Sequence, residues 1–199
     1  MRTLRNDLRA ALVAVAVLTV VLGLGYPLLV TGVAQVVFPS AADGSLVRDG
    51  AGRVIGSRLL GQDFRGDKRF FQSRPSQSDY SATATFFSNA GPNGADTRDA
   101  IAANARAYLK REQSYDRSLT RAAIPPDAVQ TSASGVDPHI SQANARIQAH
   151  RVAAARGLPL ARVEELIADH TDGRGLGLFG EPGVNVLLLN RALDREASR

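Results

Sequence analysis

The feature that most constrains this chain is an uncharged run near its start. No Asp, Glu, Lys or Arg occurs between Arg9 and Asp43, and Ala10 to Val37 is almost continuously apolar. As a helix it would rise about 40 Å, enough to cross a hydrocarbon core of about 30 Å with some tilt. Gly23, Gly25 and Pro27 would break a helix in water. In a bilayer they are tolerated, and small residues let a second helix approach closely, so these three are candidate packing positions. Ser40-Ala41-Ala42 has the small-residue spacing of a signal-peptide cleavage site, but a signal's apolar region runs only about 7–15 residues. The longer run reads as an uncleaved anchor. Arg2, Arg5 and Arg9 precede it, whereas Asp43 and Arg48 are the first charges after it. The positive-inside rule then gives a cytoplasmic tail over 1–9, a transmembrane helix over 10–37 and an extracytoplasmic domain over 38–199 of a bacterial inner-membrane protein. Val184–Leu189 is too short to cross back.

Composition removes several function classes. There is no cysteine, which excludes disulfides, thiolate metal sites and a cysteine nucleophile. The histidines are His139, His150 and His170, with no HxxxH spacing, so a zinc site would need carboxylates from afar and none is expected. The net charge of +5 is scattered after the N-terminal arginines. There is no tryptophan and no interleaving of aromatic with basic residues, which argues against nucleic acid.

The outer region reads as α+β: one transmembrane helix, then a small, helix-rich domain with a short β-hairpin or sheet. Two β-prone runs flank Asp49-Gly50-Ala51-Gly52, a hairpin signal. Residues 72–95 form a long loop rich in Ser, Asn, Gly and Pro. Asp96 to Glu112 reads as a helix capped by Asp96 or Thr97, with Ile101, Ala105, Tyr108 and Leu109 on one face. Val129 to Thr131 suggests a short strand. A further helix starts at Asp137 or Ser141, runs to Arg156 and stops at Gly157. Leu158-Pro159 opens another, with Leu160, Val163, Leu166 and Ile167 apolar. A glycine-rich loop covers 173–183, and residues 184–196 suit a final helix.

Few chemical motifs survive scrutiny. Gly175-Leu176-Gly177-Leu178-Phe179-Gly180 matches GxGxxG but lacks the preceding strand and the later acidic partner of a dinucleotide site. No GxxxxGK[ST] loop exists. His150 and His170 read as surface and helix-end residues. Glu164 and Glu165 point in different directions, and Arg65, Arg69 and Arg74 with Asp63 and Asp67 look like a solvated charge mixture. The stretch Thr131–Ser141, TSASGVDPHIS, holds the residue types of a hydrolase triad. A triad needs convergence in space, and no GxSxG elbow surrounds Ser132 or Ser134. Gly135 permits a positive-φ turn, and Asp137-Pro138 reads as a helix start, unless Ser141 caps a later one.

Blocks in order carry a family resemblance. They are Gly44-Ser45-Leu46; Gly56-Ser57-x-Leu59-x-Gly61-Gln62-x-Phe64; Phe70-Phe71 with Arg74-Pro75-Ser76; and Ser88-Asn89-x-Gly91-Pro92. Then come Thr131-x-Ala133-Ser134-Gly135-x-Asp137-Pro138-His139-Ile140-Ser141; Gln148 with Arg151-Val152-Ala153-x-Ala155-Arg156; and Gly180-Glu181-Pro182-x-Val184-Asn185-Val186-Leu187-x-Leu189-Asn190. With these blocks the chain resembles the C-subunit family of the Kdp potassium-importing P-type ATPase over nearly its whole length. It departs from the family's usual glycine at Ser73, usual leucine at Ala90 and usual basic residue at Gly183.

The resemblance implies a non-catalytic accessory subunit of a high-affinity, ATP-driven potassium import complex, needed for its assembly and activity. The implied partners are a channel-like potassium-binding subunit, a P-type ATP-hydrolysing subunit and a small single-span subunit, in a membrane. The family is proposed to act as a catalytic chaperone that raises the ATP affinity of the hydrolysing subunit. No directly bound cofactor is expected here; ATP enters through the complex. The structural or partner-facing candidates are Gln62, Arg74, Asn89, Gly135, Asp137, Pro138, His139, Glu181, Pro182, Asn185 and Asn190. The competing readings are a membrane-anchored hydrolase using Ser134, Asp137 and His139, and an external binding module unrelated to transport.

Overall fold

The computed structural model describes residues 2–81, 83 and 89–196. Part of the 72–95 loop, including Ser88 of the Ser88-Asn89 block, lies outside the described residues. The chain forms two compact units, Met1–Ser57 and Arg58–Arg199. Its class is α+β.

The first unit begins with helix α1 (Arg2–Leu18), a π-helical stretch (Thr19–Gly25) and helix α2 (Tyr26–Val37). Together they make one helix, Thr3–Val37, long and apolar enough to cross a membrane. Its large apolar side chains face outward throughout. The π stretch sits where Pro27 demands it. Proline has no N–H, and its ring collides with the carbonyl four residues back, here that of Gly23. The ladder widens instead, and Tyr26 N–H bonds to Val21 O. Gly23 and Gly25 lie inside this widened stretch, where an added Cβ would meet only ordinary contacts. A short helix α3 (Pro39–Ala42) leads to the expected hairpin, β1 (Leu46–Arg48) paired antiparallel with β2 (Val54–Ser57). Asp49 closes the turn by accepting from the Ala51 and Arg53 N–H groups, each at 2.9 Å.

The second unit holds helices α4 (Ala95–Glu112), α5 (Gln142–Arg156), α6 (Leu160–Asp169) and α7 (Val186–Glu196) and a small sheet, on which α5 and α7 pack. That sheet has the order β3 (His139–Ile140), β5 (Gly183–Asn185), β4 (Thr171–Asp172), all antiparallel. Ala145, Ala149 and Val152 recur at helical spacing on α5. They pack with Val163, Leu166 and Ile167 of α6, Leu189 and Leu193 of α7, and Phe71, Ile140 and Val184. A second core joins Ala105 and Tyr108 of α4 to Leu119, Ala128 and Val129, with Ile101 and Leu109 packed against it.

Several local expectations are corrected. Neither Asp96 nor Thr97 caps α4: Gly94 holds the cap position, and Thr97 Oγ1 instead donates to Gly91 O at 3.0 Å. Val129–Thr131 is not a strand. A 3-10 turn at Pro126–Ala128 draws in the Val129 and Gln130 N–H groups, and Asn104 Nδ2 takes the Val129 carbonyl. Val184 and Asn185 belong to β5 rather than to the last helix. Asn185 then ends the strand and caps α7, its Oδ1 accepting from Leu188 N–H at 3.2 Å. Asp137-Pro138 does not start α5. Ser141 does, its Oγ accepting from Asn144 N–H at 3.1 Å, because His139 and Ile140 are held extended by β5. The helix stops at Gly157 in the left-handed region (φ +66°), with Leu158 N–H bonded to Ala153 O.

Ser141 Oγ also donates to Asp127 Oδ1 at 2.7 Å. Ser141→Ala is therefore expected to lose a cap and a tie to Asp127, lowering stability by about 1–2 kcal/mol. Thermal melting of the full chain in detergent measures this, and Ser141→Thr should restore most of the loss.

Candidate functional site

Most of the blocks scattered through the sequence fall in the second unit, while Gly44-Ser45-Leu46 and Gly56-Ser57 belong to the hairpin of the first. Asn190 on α7 and Gln148 on α5 act as two amide clasps on an extended segment, Phe71-Gln72. Asn190 Oδ1 accepts from Phe71 N–H at 2.8 Å, and its Nδ2 donates to the Phe71 carbonyl at 2.9 Å. Gln148 Oε1 accepts from Gln72 N–H at 2.7 Å, and its Nε2 donates to the Gln72 carbonyl at 3.1 Å. Each amide satisfies both backbone groups of one residue, as a neighbouring strand would. This meets the rule that buried backbone polar groups be paired.

Behind the clasp lies a buried ion pair. Arg151 Nε donates to both Glu112 oxygens, at 3.1 and 3.0 Å, and both side chains are fully buried. Arg151 also donates to Lys68 O (2.6 Å), Phe70 O (2.9 Å) and Gln148 Oε1 (2.9 Å). Burial pulls the Arg151 guanidinium below its ordinary value, and Glu112 beside it pushes back. Tyr108 donates to Asn144 Oδ1 at 2.8 Å, and burial, then the Glu112 charge, drive its phenol far up. Asn144, Gln148 and Arg151 thus form a buried polar stripe on α5.

The Thr131–Ser141 stretch is tied to the 74–76 segment that follows the clasped residues. Gly135 is buried at φ +74°, and an added Cβ would stand 2.5 Å from Ser78 Oγ. Ser76 Oγ donates to the Gly135 carbonyl at 2.5 Å, and Gly61 N–H to the Val136 carbonyl at 2.7 Å. Tyr80 OH donates to the Arg74 carbonyl at 2.5 Å; burial, with Asp63 nearby, pushes this phenol up to about 12. On the partly exposed side runs a row of arginine, carboxylate and imidazole groups. Arg74 Nη1 meets Asp137 Oδ2 at 2.9 Å, and Asp137 Oδ1 accepts from His139 N–H at 2.9 Å. His139 Nε2 meets Asp172 Oδ2 at 3.0 Å, and Arg58 Nη2 lies 3.7 Å from the same oxygen. The His139 ring crosses over Gly183, where an added Cβ would come within 3.0 Å of His139 Cβ. A side chain at position 183 would press on the His139 side chain.

The triad does not assemble. Both ring nitrogens of His139 face carboxylates, Nδ1 lying 3.9 Å from Asp137 Oδ1. Ser134 Oγ accepts from Val136 N–H at 3.2 Å within its own turn, and it makes no hydrogen bond to His139. Arg74 leaves the solvated mixture in which the sequence placed it. Asp137 draws it in until only a quarter of its side chain is exposed, and its Nε is buried with no hydrogen-bond partner. Arg69 and Asp67 do remain a surface pair.

The other candidates divide by burial. Gly135, Asn185 and Asn190 are buried and serve the fold; Asn185 Nδ2 donates to the Arg58 carbonyl at 2.8 Å. Gln62 and Pro182 are half-buried, and the Gln62 carbonyl accepts from Ser73 Oγ. Pro138 is half-buried, and its carbonyl accepts from Val186 N–H. Asn89 is exposed at φ +52°. Glu181 is exposed and paired with Arg174. The residues missed at the sequence level are Glu112, Asp127 and Asn144, for which helical spacing from Gln148 and Arg151 was the available signal in one case only, Asn144. Among the described residues, no group of three or more His, Asp or Glu is placed to hold a metal ion.

The family described as "K+-transporting ATPase, c chain" (KdpC) matches residues 8–195. The chain is 50% identical over 191 residues to a potassium-transporting ATPase KdpC subunit of Caulobacter vibrioides, covering 95% of this chain and 93% of that one. A Sorangium cellulosum protein of the same name is 50% identical over 190 residues, covering 94% and 96%. One from Mycobacterium tuberculosis is 47% identical over 195 residues, covering 96% and 100%.

Proposed function

Because the chain belongs to the KdpC family, the c chain of K+-transporting ATPases, we propose that it is the accessory subunit of a high-affinity potassium import complex. In this reading it is required for assembly and activity and performs no chemistry itself. Its partners are a channel-like potassium-binding subunit, an ATP-hydrolysing P-type subunit and a small single-span subunit. The Thr3–Val37 helix crosses the bacterial inner membrane with Arg5 and Arg9 on the cytoplasmic side, and the second unit stands outside.

The observation that carries the non-catalytic reading is the geometry around His139. A general base needs a nucleophile within hydrogen-bond reach, whereas here each ring nitrogen faces a carboxylate and Ser134 is bound to its own turn. What the motif residues build is a rigid body, in which amide clasps and a buried ion pair fix loops to helices. Such a body suits docking.

The topology also bears on ATP. With the second unit outside and ATP inside, its effect on ATP affinity is indirect. The subunit binds one conformation of the pump more tightly than another, and so shifts the equilibrium that the nucleotide senses.

Mild detergent extraction tests the assignment. The full chain is expected to bring down a multispan partner and an ATPase, and a reporter fused after Arg199 is expected to be active only outside the cytoplasm. Recovery of the chain alone, or a reporter active inside, contradicts it. The hydrolase alternative predicts instead an esterase or peptidase activity abolished by His139→Ala with the complex intact.

A further inference from the structure

The loop joining β4 to β5 carries the most exposed large apolar side chains described in the second unit. Leu176 is 90% exposed, Leu178 77% and Phe179 68%. Side chains of this kind cost free energy in water, and single ones are unremarkable, but three within four residues at one loop tip form a patch. The loop is also built rather than slack. Gly175 N–H donates to Phe179 O at 2.8 Å and Phe179 N–H returns to Gly175 O at 2.9 Å, closing a small bridge. Gly177 N–H bonds to Arg174 O, and at the neck Arg174 Nη2 meets both Glu181 oxygens at 2.8 Å. Leu176 is held at φ +51°, a left-handed conformation that disfavours a residue with a Cβ. The chain accepts that strain to keep a leucine in water.

We propose that this loop is a preformed finger that inserts its Leu176, Leu178 and Phe179 side chains into an apolar pocket with an uncharged rim on another subunit of the transport complex. The proposal rests on the family reading above and adds the surface by which the unit docks. Charge decides between a protein pocket and a lipid surface. Loops that dock on bilayers combine apolar tips with spare Lys or Arg for anionic headgroups, or with Trp and Tyr for the interface. Residues 173–183 contain one cation, Arg174, and no Trp or Tyr. That cation is neutralised by Glu181, and at the root of the loop Asp172 faces His139 and Arg58. Within residues 173–183 no cation is left without a carboxylate partner for a lipid headgroup, and a paired neck matches a rim without charge. A rigid finger also loses little freedom on binding, which favours affinity.

A photo-crosslinking residue at position 178 of the full chain, irradiated in the assembled complex in native membranes, tests this. A covalent adduct to a different, larger subunit is expected. In parallel, Leu176→Ser/Phe179→Ser should lower co-recovery of the partners by about tenfold or more, as for removal of an interface anchor. Both side chains face solvent, so the thermal melting of the isolated chain should not move. An adduct to phospholipid, an adduct to a second copy of this chain, or no adduct from an intact complex overturns the finger while leaving the family reading in place. Failure of even the unsubstituted chain to recover any partner overturns both.

Discussion

Arg151→Ala is expected to destabilise the second unit by about 3–5 kcal/mol, the cost of breaking a buried ion pair by removing one partner. Glu112 would stay fully buried, with only the partly exposed Arg111 beside it, at 2.6 Å. The carbonyls of Lys68 and Phe70 and the Gln148 Oε1 would each lose a charged donor. A domain of ordinary stability has about 5–15 kcal/mol in total, so the variant should be marginal at 37 °C. Urea unfolding of the full chain in detergent measures the loss. A second variant separates charge from connectivity. Arg151→Met/Glu112→Met removes the stranded charge, and in many proteins such a swap is neutral or stabilising. Here it should recover only part of the loss, because the Lys68 carbonyl loses its donor and the Phe70 carbonyl keeps only Gln72 Nε2. Full recovery would mean that Arg151 matters only as a counter-charge.

The second large effect is expected at Gly135. An alanine there must adopt φ +74°, and its Cβ would stand 2.5 Å from the oxygen of the buried Ser78. The left-handed backbone costs a non-glycine residue about 1–3 kcal/mol, and overpacking adds about 1–3 more. Gly135→Ala should therefore cost about 2–6 kcal/mol. The double variant Ser78→Ala/Gly135→Ala tells the two causes apart. Removing the Ser78 hydroxyl relieves the collision and leaves the backbone penalty, so stability should return only partway. If the double variant is no better than the single one, the collision is not what makes glycine necessary.

These two positions show what the sequence could and could not reveal. The long apolar helix was plain from its length and lack of charge, and the hairpin from Asp49 and Gly52. Helices α4, α5 and α6 followed from their periodicity, and Gly157 marked the end of α5. Gly135 was recognised as a positive-φ turn, but not the neighbour that fills its empty side. Arg151 was visible as a motif residue, yet its partner Glu112 is 39 positions away, and nothing local in the sequence links the two. The same distance problem hid the pairing of Asn190 with Phe71, 119 positions apart. Asp137-Pro138 misled for a different reason. Local chemistry favours a helix start there, but pairing with β5 keeps His139 and Ile140 extended and delays the helix to Ser141. Tertiary pairing outweighed a cap worth about 1 kcal/mol.

Several polar residues of the motif blocks sort into two groups. Gln148, Arg151, Asn185 and Asn190 are buried and hold the second unit together. Arg74, Asp137 and His139 join Asp172 of β4 in a partly exposed polar row that links the 74–76 segment, the 131–141 stretch and β4. Neither group places a nucleophile beside a base, and both make a stiff platform. That stiffness is what an accessory subunit needs if it is to bind one pump conformation better than another, since a yielding domain would follow either.

The measurement that bears most directly on this role is potassium-stimulated ATP hydrolysis by membranes containing the partner subunits, with and without this chain. An accessory subunit predicts loss of the potassium-stimulated rate in its absence, recovery when the chain is supplied, and no ATP hydrolysis by the chain alone. Equal potassium-stimulated rates with and without the chain, or hydrolysis by the chain on its own, would contradict it.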